Sequence, residues 1–390
     1  MTATTASALD GAIENLRSWL DAGHRTPQEI RATVYRLGLA WPHFPTGAGG
    51  LGLDPVTGVA VTARLSAEFG LPAVPARSVI ACGMAAPTLV AHGGGHHHPL
   101  LRRIYVDQEI WCQLFSEPSA GSDLANVATT ARRDGDRWVV NGAKVWTSLA
   151  HEAQWAMLLA RTDPDAPKHR GLTYFIVRLD APGVSVRPLF QITGEAEFNE
   201  VLLDDVVIPD SDRLGGVGDG WSVAITTLTS ERGALSNVAR PGGNAVDRAV
   251  RLWHQCEHRN PVDQVRLADL WIRDRLVTAT LNRTADDPTG STGPMHKVLS
   301  AELHQDVAEF TAGLLGRGAL EYPRGYPMTR PDTSAEAEHD LLYDYLRSRG
   351  SSIEGGTSEI LRNIIGERIL GLEPEPRVDK AVPWRETRRG

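Results

Sequence analysis

The sequence predicts an α+β protein in which a β-rich middle segment separates two helical segments. Near the N-terminus, apolar residues recur at helical spacing, as at Leu9, Ile13 and Leu16. Short apolar or alternating runs bounded by turn residues follow over residues 109–212, and helical periodicity then returns. This order predicts a C-terminal helical bundle with a barrel packed against it.

Length and composition set the broad class of protein. The chain has 390 residues, of which 42% are hydrophobic and 23% charged, which is ordinary for a globular protein of two or three domains. A net charge of −8 offers no electrostatic case for binding nucleic acid. No apolar run reaches the ~18 residues that a membrane span needs, and the first residues lack the basic patch of a signal peptide. The widely spaced Cys82, Cys112 and Cys256 predict a reducing, cytoplasmic location.

Residues 1–108 are predicted to form an N-terminal helical domain. Helices are predicted over residues 15–20, 26–37 and 56–69. The stretch GAGGLG lies before the third helix and has no strand ahead of it, so an inter-helix loop is favoured over a dinucleotide-binding turn.

Three consecutive histidines, His96, His97 and His98, follow a glycine run in GGGHHHP. Adjacent side chains do not converge on one ion without distortion, and no carboxylate or thiolate has suitable spacing. We therefore expect an inter-helix loop here and no metal site.

Residues 109–212 are predicted to form a middle β domain, either a barrel or a sandwich. Asp134 and Gly135 form a hairpin signal between alternating residues. Further strands are predicted in four short runs, over residues 155–161, 172–179, 184–189 and 200–208.

Residues 213–390 are predicted to form a C-terminal helical bundle. Apolar residues at spacings of three and four predict helices over four stretches, residues 221–239, 263–281, 296–315 and 358–370. After the first of these, Pro241, Gly242 and Gly243 predict a kink or a break.

Several motifs occur in a fixed order along the chain. They are SEPSAGSD (116–123), NGAKVWTS (141–148), FNEV (198–201), SER (230–232) and GGTSEILRNIIGERILGL (355–372). Together they resemble the acyl-CoA dehydrogenase family over about residues 30 to 373. The resemblance implies an N-terminal helical domain, a middle β-barrel and a C-terminal four-helix bundle. It also implies FAD as cofactor and α,β-dehydrogenation of an acyl thioester, on coenzyme A or on an acyl carrier protein.

The resemblance assigns the cofactor site to residues of these motifs. The matched positions are Gln113, Leu114, Phe115, Ser116, Trp146, Ser148, Thr357 and Glu359. Phe115 and Ser116 match positions that contact the flavin ring, and Trp146 matches an aromatic cover, with a barrel-core tryptophan as the alternative. Thr357 matches a position that lines the FAD site at a helix start, where free N–H groups suit an anionic group. A simple N-cap is the other interpretation of Thr357.

The catalytic base is inferred from a departure within the last motif. Many family members carry the catalytic glutamate directly before its Gly-Thr, but here that position is Gly355, and Glu354 comes one residue earlier. Other members carry the base on a bundle helix within a Glu-Arg pair, which this chain has at Glu231 and Arg232. The resemblance therefore implies Glu231 as base and the Gly355 N–H as a donor to the thioester oxygen. Arg232 and Ser122 are the implied substrate contacts.

Helical spacing supports Glu231 independently of the resemblance. If residues 221–238 form one helix, then Ala224, Leu228 and Glu231 share a stripe, and the glutamate interrupts an apolar face. A carboxylate in such a setting is desolvated, which raises its pKa and suits it to act as a base. The alternative is a buried ion pair with Arg232 or another cation.

Departures from the family pattern leave the assembly and some alternatives open. The Arg-x-x-Phe-Gly segment of many members is absent from residues 256–270, where Arg259 is the candidate replacement, and a glycine motif is reduced to LLGRGA. A homodimer or tetramer is expected, with a heteromeric complex as the alternative, and an electron-transfer flavoprotein is the expected acceptor. Two other functions remain: a non-catalytic or FAD-sharing subunit of a heteromeric dehydrogenase, and a flavin N-monooxygenase on the same fold.

Overall fold

The computed structural model of the chain describes most of its residues, in nine ranges. They are residues 3–71, 78–236, 245–256, 259–284, 292–322, 325–326, 328–330, 340–376 and 378–387. The backbone alone is described for residues 3–5, 231–236, 282–284 and 292. The chain divides into two compact units. The first contains residues 1–187, 198–235 and 379–390, and the second contains residues 188–197 and 236–378.

The first unit begins with helices. These are α1 (Ala3–Asp21), α2 (Pro27–Arg36), α3 (Pro55–Phe69), α4 (Ala86–His92) and α5 (His98–Arg102). A capping box starts α2, because Thr26 Oγ1 accepts from the Glu29 amide while the Glu29 carboxylate accepts from the Thr26 amide. The helices predicted near α2 and α3 are confirmed, and α1 extends well beyond the predicted residues 15–20.

One mixed sheet of eight strands follows the N-terminal helices. The strands are β1 (Trp111–Leu114), β2 (Thr130–Asp134), β3 (Arg137–Ser148), β4 (Trp155–Arg161), β5 (Leu172–Arg178), β6 (Val184–Leu189), β7 (Phe198–Pro209) and β8 (Arg213–Leu214). Their order is β6-β7-β3-β2-β4-β5-β8, with β1 parallel to β4. The predicted hairpin is confirmed, since β2 and β3 are joined through Gly135 at φ +65°. The predicted strands over residues 155–161 and 184–189 are also confirmed.

Strand β4 is apolar from Trp155 to Ala160 because both of its faces are buried. Trp155, Met157 and Leu159 belong to a core shared with the N-terminal helices. The alternate residues, Ala156 and Leu158, belong to a second core on the other side of the sheet. A continuous apolar run is the pattern expected of a strand covered on both faces.

Helix α6 (Gly220–Ser236) belongs to the first unit and is tied to it by buried hydroxyls. Thr227 Oγ1 lies 2.9 Å from Tyr174 Oη of β5 and 2.9 Å from Thr88 Oγ1 of α4. All three residues are fully buried. This cluster, Thr88, Tyr174 and Thr227, sets the position of α6 against both the sheet and the N-terminal helices.

The second unit is helical. Its helices are α7 (Ala245–Gln255), α8 (Pro261–Thr284), α9 (Thr292–Leu314), α10 (Leu341–Ser348) and α11 (Ser358–Ile364). Helix α9 packs against the other four. The helices predicted near α8, α9 and α11 are confirmed, whereas α7 and α10 were not predicted. The break predicted at residues 241–243 lies outside the described residues.

The predicted order of helical, β-rich and helical regions is confirmed. The domain boundaries at residues 108 and 212 stay predictions, since helices and sheet of the first two regions share one compact unit. Among the described helices, none is both long and apolar enough to cross a membrane.

Removing the Thr227 hydroxyl is expected to destabilise the first unit. Thr227→Val leaves the buried Tyr174 hydroxyl without its hydrogen-bond partner and is expected to lower the free energy of unfolding by about 1–3 kcal/mol. Tyr174→Phe is the matched control, because it removes the polar group that would otherwise be stranded. Urea unfolding should give a smaller loss for the double variant than the sum of the two single losses. Strictly additive losses would contradict the role of the hydroxyl cluster.

Candidate active site

The first predicted cofactor residues lie at the end of β1. Leu114 is fully buried and Phe115 is 4% exposed, with its ring edge-on to Tyr174 at 5.7 Å between centroids. Gln113 and Ser116 are half-buried. The Ser116 carbonyl accepts a hydrogen bond of 2.9 Å from the Val145 amide, which joins the SEPSAGSD loop to the NGAKVWTS strand.

A buried ion pair also joins these two motifs. Lys144 Nζ lies 2.7 Å from Glu117 Oε1, and both side chains are shielded from water. The ammonium group also donates to the carbonyl oxygens of Phe115 at 3.0 Å and Leu159 at 2.8 Å, so its three donors are satisfied. The Glu117 carboxylate accepts from the amide of Thr129 at 2.9 Å and from that of its preceding neighbour at 2.6 Å.

The pKa values indicate that this pair is ionised at neutral pH. Burial lowers the pKa of Lys144 to about 8, even though Glu117 favours the ammonium form. Burial alone would raise the pKa of Glu117, but Lys144 and the amide donors lower it below its ordinary value. Both groups are therefore charged near pH 7, where each is the main compensation for the other's desolvation.

Trp146 has an unusual backbone conformation. Its φ is +60°, in the left-handed region that bulky residues rarely occupy, and it lies at a β-bulge between Lys144 and Thr147. The indole is 58% exposed and packs edge-on against Phe198 at 5.7 Å. Trp146 is therefore not the barrel-core tryptophan that was its alternative interpretation.

The neighbours of Trp146 are polar and differ in exposure. Ser148 is half-buried and pairs with Phe198 across the sheet. Thr147 is 1% exposed, and within the described residues its Oγ1 has no hydrogen-bond partner. A buried hydroxyl without a partner is uncommon in folded proteins.

The predicted substrate residue Ser122 lies on an exposed turn. The loop before it is closed by reciprocal hydrogen bonds of 3.0 Å between the backbones of Glu117 and Ala120. Ser122 and Gly121 are both exposed. The turn is therefore accessible, while its base is held by the buried Glu117.

The predicted base lies on α6, as the sequence analysis required. The helix is continuous over Gly220–Ser236 and buries Ala224 and Thr227. Position 231 follows Thr227 by four residues and Ala224 by seven, so it belongs to the same helix face. The side chains of Glu231 and Arg232 lie outside the described residues.

The GGTSE turn of the second unit is held by side chains of α9 and α11. Gly355 and Gly356 have φ values of +65° and +97°, which glycine adopts without strain. Lys297 Nζ donates to the Gly356 carbonyl at 2.7 Å. Thr357 is the N-cap of α11, accepting from the Ile360 amide at 3.2 Å, so its capping interpretation is confirmed.

The remaining predicted residue of this turn is exposed, and a neighbour is buried. Glu359 is 79% exposed, with Arg362 at 4.0 Å. Ser358 is 3% exposed, and its Oγ has no hydrogen-bond partner within the described part of the chain. Ser358 was not predicted, because a hydroxyl left without a partner is visible only once the packing is known.

Glu354 takes part in an ion-pair network. Its Oε2 lies 2.9 Å from Arg347 Nη2, and Arg347 Nε lies 3.3 Å from Glu197 Oε2. Burial alone would lower the pKa of Arg347, but Glu197 and Glu354 raise it above its ordinary value. Glu354 therefore has a structural partner in this unit, which a free catalytic base would lack.

The histidine run forms local contacts within the first unit. His97 Nδ1 accepts from the Gly94 amide at 3.0 Å, and His96 Nε2 lies 2.9 Å from the Ser211 carbonyl. The segment was expected to be a loop, but it forms a short 3-10 turn over Gly95–His97 and the start of α5. Among the described residues, no group of His, Cys, Asp and Glu could hold a metal ion.

Arg259 is exposed and lies against carbonyls of the turn before it, 3.5 Å from those of Cys256 and His254. Its predicted role, to replace the missing arginine contact between subunits, stays a prediction. Glu117 and Lys144 lie within motifs recognised in the sequence, but no role was predicted for either. Their charges, inside motifs rich in small and apolar residues, could have singled out both positions but not their pairing.

This helical and β-rich architecture, with the two motifs joined at one end of β1, defines a flavoprotein dehydrogenase fold. Residues 112–206 match the family model for the acyl-CoA dehydrogenase middle domain, and residues 218–370 match that for the C-terminal domain. The chain belongs to the acyl-CoA dehydrogenase family. It is an enzyme of that family, and membership implies FAD as its cofactor.

Individual relatives support this membership. The acyl-CoA dehydrogenase IpdE1 of Mycobacterium tuberculosis is 40% identical over 366 residues, covering 90% of each chain. IpdE1 of Mycolicibacterium smegmatis is 36% identical over 373 residues, again covering 90% of each. Among solved structures, the ChsE4-ChsE5 complex of Mycobacterium tuberculosis matches with a TM-score of 0.68 and 25% identity, covering 96% of this chain and 99% of that chain.

The residues present are suited to a flavin. An exposed indole on a constrained backbone offers a flat apolar surface, and the next residue, Thr147, has a buried hydroxyl with no partner in the described part of the chain. Aromatic and hydroxyl contacts of this kind suit a cofactor with a planar ring and a polyhydroxy chain.

Breaking the buried ion pair is expected to destabilise the enzyme strongly. Lys144→Met leaves Glu117 buried without its cation and should lower the free energy of unfolding by about 3–5 kcal/mol. The double variant Glu117→Gln/Lys144→Met should recover part of this loss, because no uncompensated charge remains. Denaturant unfolding, followed by a spectroscopic signal and by flavin release, measures the free energy of unfolding of the single and the double variant. A double variant less stable than Lys144→Met would contradict this account.

The same pair predicts a pH dependence. The folded-state pKa of Glu117 is lowered, so its stabilising charge is present above its ordinary pKa of 4.5 and is lost as pH falls through the lower folded value. The stability difference between the natural chain and Glu117→Gln should therefore be largest near neutral pH and shrink below about pH 4.5. Urea unfolding at a series of pH values tests this. A difference that grows on acidification would contradict the sign.

Proposed function

We propose that the chain dehydrogenates an acyl thioester between Cα and Cβ, with Glu231 as the base that removes the Cα proton. The observation that carries the proposal is the unbroken α6, on which position 231 follows the buried Ala224 and Thr227 at helical spacing. Helical spacing therefore puts the proposed base on the same side of α6 as these two residues. The ion pair of Glu354 with Arg347 supports the same choice, because it gives that glutamate another role.

The thioester oxygen requires a donor while the Cα proton is removed. We propose that the Gly355 N–H supplies it, because fixed backbone donors stabilise the developing negative charge without reorganising. Support comes from the rigid turn in which this residue lies, held by Lys297 at the Gly356 carbonyl and by the Thr357 cap. Ser122 and Arg232 are the proposed contacts to the rest of the thioester.

The proposed cofactor-binding residues are those of the matched motifs. They are Gln113, Leu114, Phe115, Ser116, Trp146, Ser148, Thr357 and Glu359. When bound, FAD supplies the two-electron acceptor for the hydride that leaves Cβ. The backbone at the end of β1 and the Ser148 hydroxyl would hold and orient the ring, while the indole of Trp146 would exclude water from it. Thr357 would act from the start of α11 in addition to its capping role.

The test of the base compares two glutamates of the same chain. The purified protein is expected to be yellow and to bleach when an acyl-CoA is added without oxygen. Glu231→Gln should retain FAD but lose bleaching roughly 10²–10⁴-fold, as expected for removal of a general base. Glu354→Gln is the matched control and should retain most of the rate, because it loses an ion pair rather than the base.

The opposite result would overturn the assignment. If Glu354→Gln abolished bleaching while Glu231→Gln did not, the base would lie in the GGTSE turn. If no acyl thioester bleached the flavin, but a reductase and oxygen together gave a product, the chain would be an N-monooxygenase.

We further propose that the enzyme works in the cytoplasm, transfers electrons to an electron-transfer flavoprotein and forms a homodimer or tetramer. A heteromeric complex is the second candidate, favoured by the match to the ChsE4-ChsE5 complex. The three cysteines are free thiols, which supports a reducing compartment.

Light scattering on the purified chain, combined with its flavin-to-protein ratio, decides between these assemblies. A homo-oligomer is expected to carry about one flavin per chain. A colourless chain that gains flavin only with a second protein would instead establish the heteromeric complex.

A further inference from the structure

The end of the chain packs on the first unit as a short segment, residues 379–387, which we call the C-terminal tail. It begins after residue 370, where the match to the family's C-terminal domain ends. Its Trp384 is only 5% exposed. A tail that buries a tryptophan is an ordered part of the fold, although its own residues lie beyond the matched C-terminal domain.

Trp384 covers a buried cation. Its ring lies 4.5 Å from the guanidinium carbon of Arg161, which is 2% exposed. That guanidinium donates to the Ala125 carbonyl at 2.6 Å and to the Val127 carbonyl at 3.2 Å. The indole Nε1 also donates to Asn126 Oδ1 at 2.7 Å. One tail residue therefore holds the turn at residues 125–127 directly and through Arg161.

A second set of contacts involves Lys168. Its ammonium group bridges Asp123 at 2.9 Å and Asp379 of the tail at 2.5 Å. The tail backbone also follows the loop that carries Lys168, with the Trp384 amide donating to the Ala166 carbonyl at 3.0 Å. Lys168 therefore couples the first residue of the tail to Asp123.

The held residues directly follow the exposed Ser122. Asp123 is its neighbour, and Asn126 lies four residues further on. The other end of the loop is held at Glu117 by the buried ion pair with Lys144. The Ser119–Ser122 turn therefore lies between two fixed points. On one side Glu117 is held by Lys144 of the sheet, and on the other side Asn126 is held by Trp384 of the tail.

We propose that the C-terminal tail is a positioning element for the Ser119–Ser122 turn and thereby determines the affinity for the acyl thioester. The inference rests on the proposed role of Ser122 as a substrate contact. Without the tail, Asn126 loses its partner Trp384 and Arg161 loses the covering ring. Lys168, the partner of Asp123, loses its second carboxylate, Asp379. The turn then samples more conformations, and binding the thioester requires that it be ordered again.

The test compares variants of the full-length enzyme by steady-state kinetics. Trp384→Ala removes the ring and the hydrogen bond, and it should raise KM for the acyl-CoA about tenfold while kcat changes by less than about twofold. Trp384→Phe keeps a ring over Arg161 but loses the Asn126 bond, and a rise of about threefold is expected. Glu386→Gln, an exposed position of the same tail, is the matched control and should match the natural enzyme.

Hydrogen exchange gives a readout that does not depend on activity. Amides of residues 119–127 should exchange faster in Trp384→Ala and in Asp379→Asn than in Glu386→Gln, with FAD content unchanged. Unchanged KM or unchanged exchange in Trp384→Ala would overturn the proposal. If Trp384→Ala failed to fold, the same criteria would apply to Trp384→Phe and Asp379→Asn.

Failure of this proposal is distinguishable from failure of the proposed function. If the natural enzyme were not reduced by any acyl thioester, the proposed function would fail whatever the tail does. If it were reduced normally and only the KM of the tail variants stayed unchanged, the function would stand and the positioning role would be wrong.

Discussion

The first unit depends on the buried ion pair between Glu117 and Lys144. Two charges removed from water are unfavourable unless each is fully compensated. Here the Glu117 carboxylate accepts hydrogen bonds from two backbone amides as well as from the Lys144 ammonium group. The ammonium group in turn donates to two backbone carbonyls as well as to the carboxylate. The pair tolerates little change in geometry for this reason. It therefore fixes the SEPSAGSD loop relative to β3, and both proposed flavin motifs of this unit take their positions from it.

The position of helix α6 is constrained in a comparable way, but by hydrogen bonds between neutral hydroxyl groups. Thr227 shares hydrogen bonds with Tyr174 on the sheet and Thr88 on α4, which sets the rotation of α6 about its own axis. Since position 231 lies one turn further on, its face follows from that rotation. The placement of the proposed base thus depends on residues of three separate segments, although the chemistry depends on one carboxylate.

Particular elements show what the sequence could predict. Strands β4 and β6 were predicted to the residue, because each is a short run bounded by turn residues. Helix α10 was missed because eight residues carry too few helical repeats to distinguish it from a loop. The pairing of Glu117 with Lys144 and the docking of Trp384 on Arg161 were not predictable, because both join segments far apart in sequence. Such contacts depend on sheet register and on tertiary packing, which local patterns do not encode.

The conformation of Trp146 shows how these constraints bear on function. A left-handed tryptophan is unfavourable by about 1–3 kcal/mol and persists only where its surroundings determine it. Lys144 is held by the ion pair, the Val145 amide by the Ser116 carbonyl, and the Thr147 carbonyl by Asn199 Nδ2 at 2.9 Å. With both flanks held, the chain between them has no freedom to relax, and the indole stays turned outward. An exposed aromatic ring maintained against strain is poorly explained by stability alone. It supports the proposal that Trp146 offers a rigid, preformed surface to the planar cofactor.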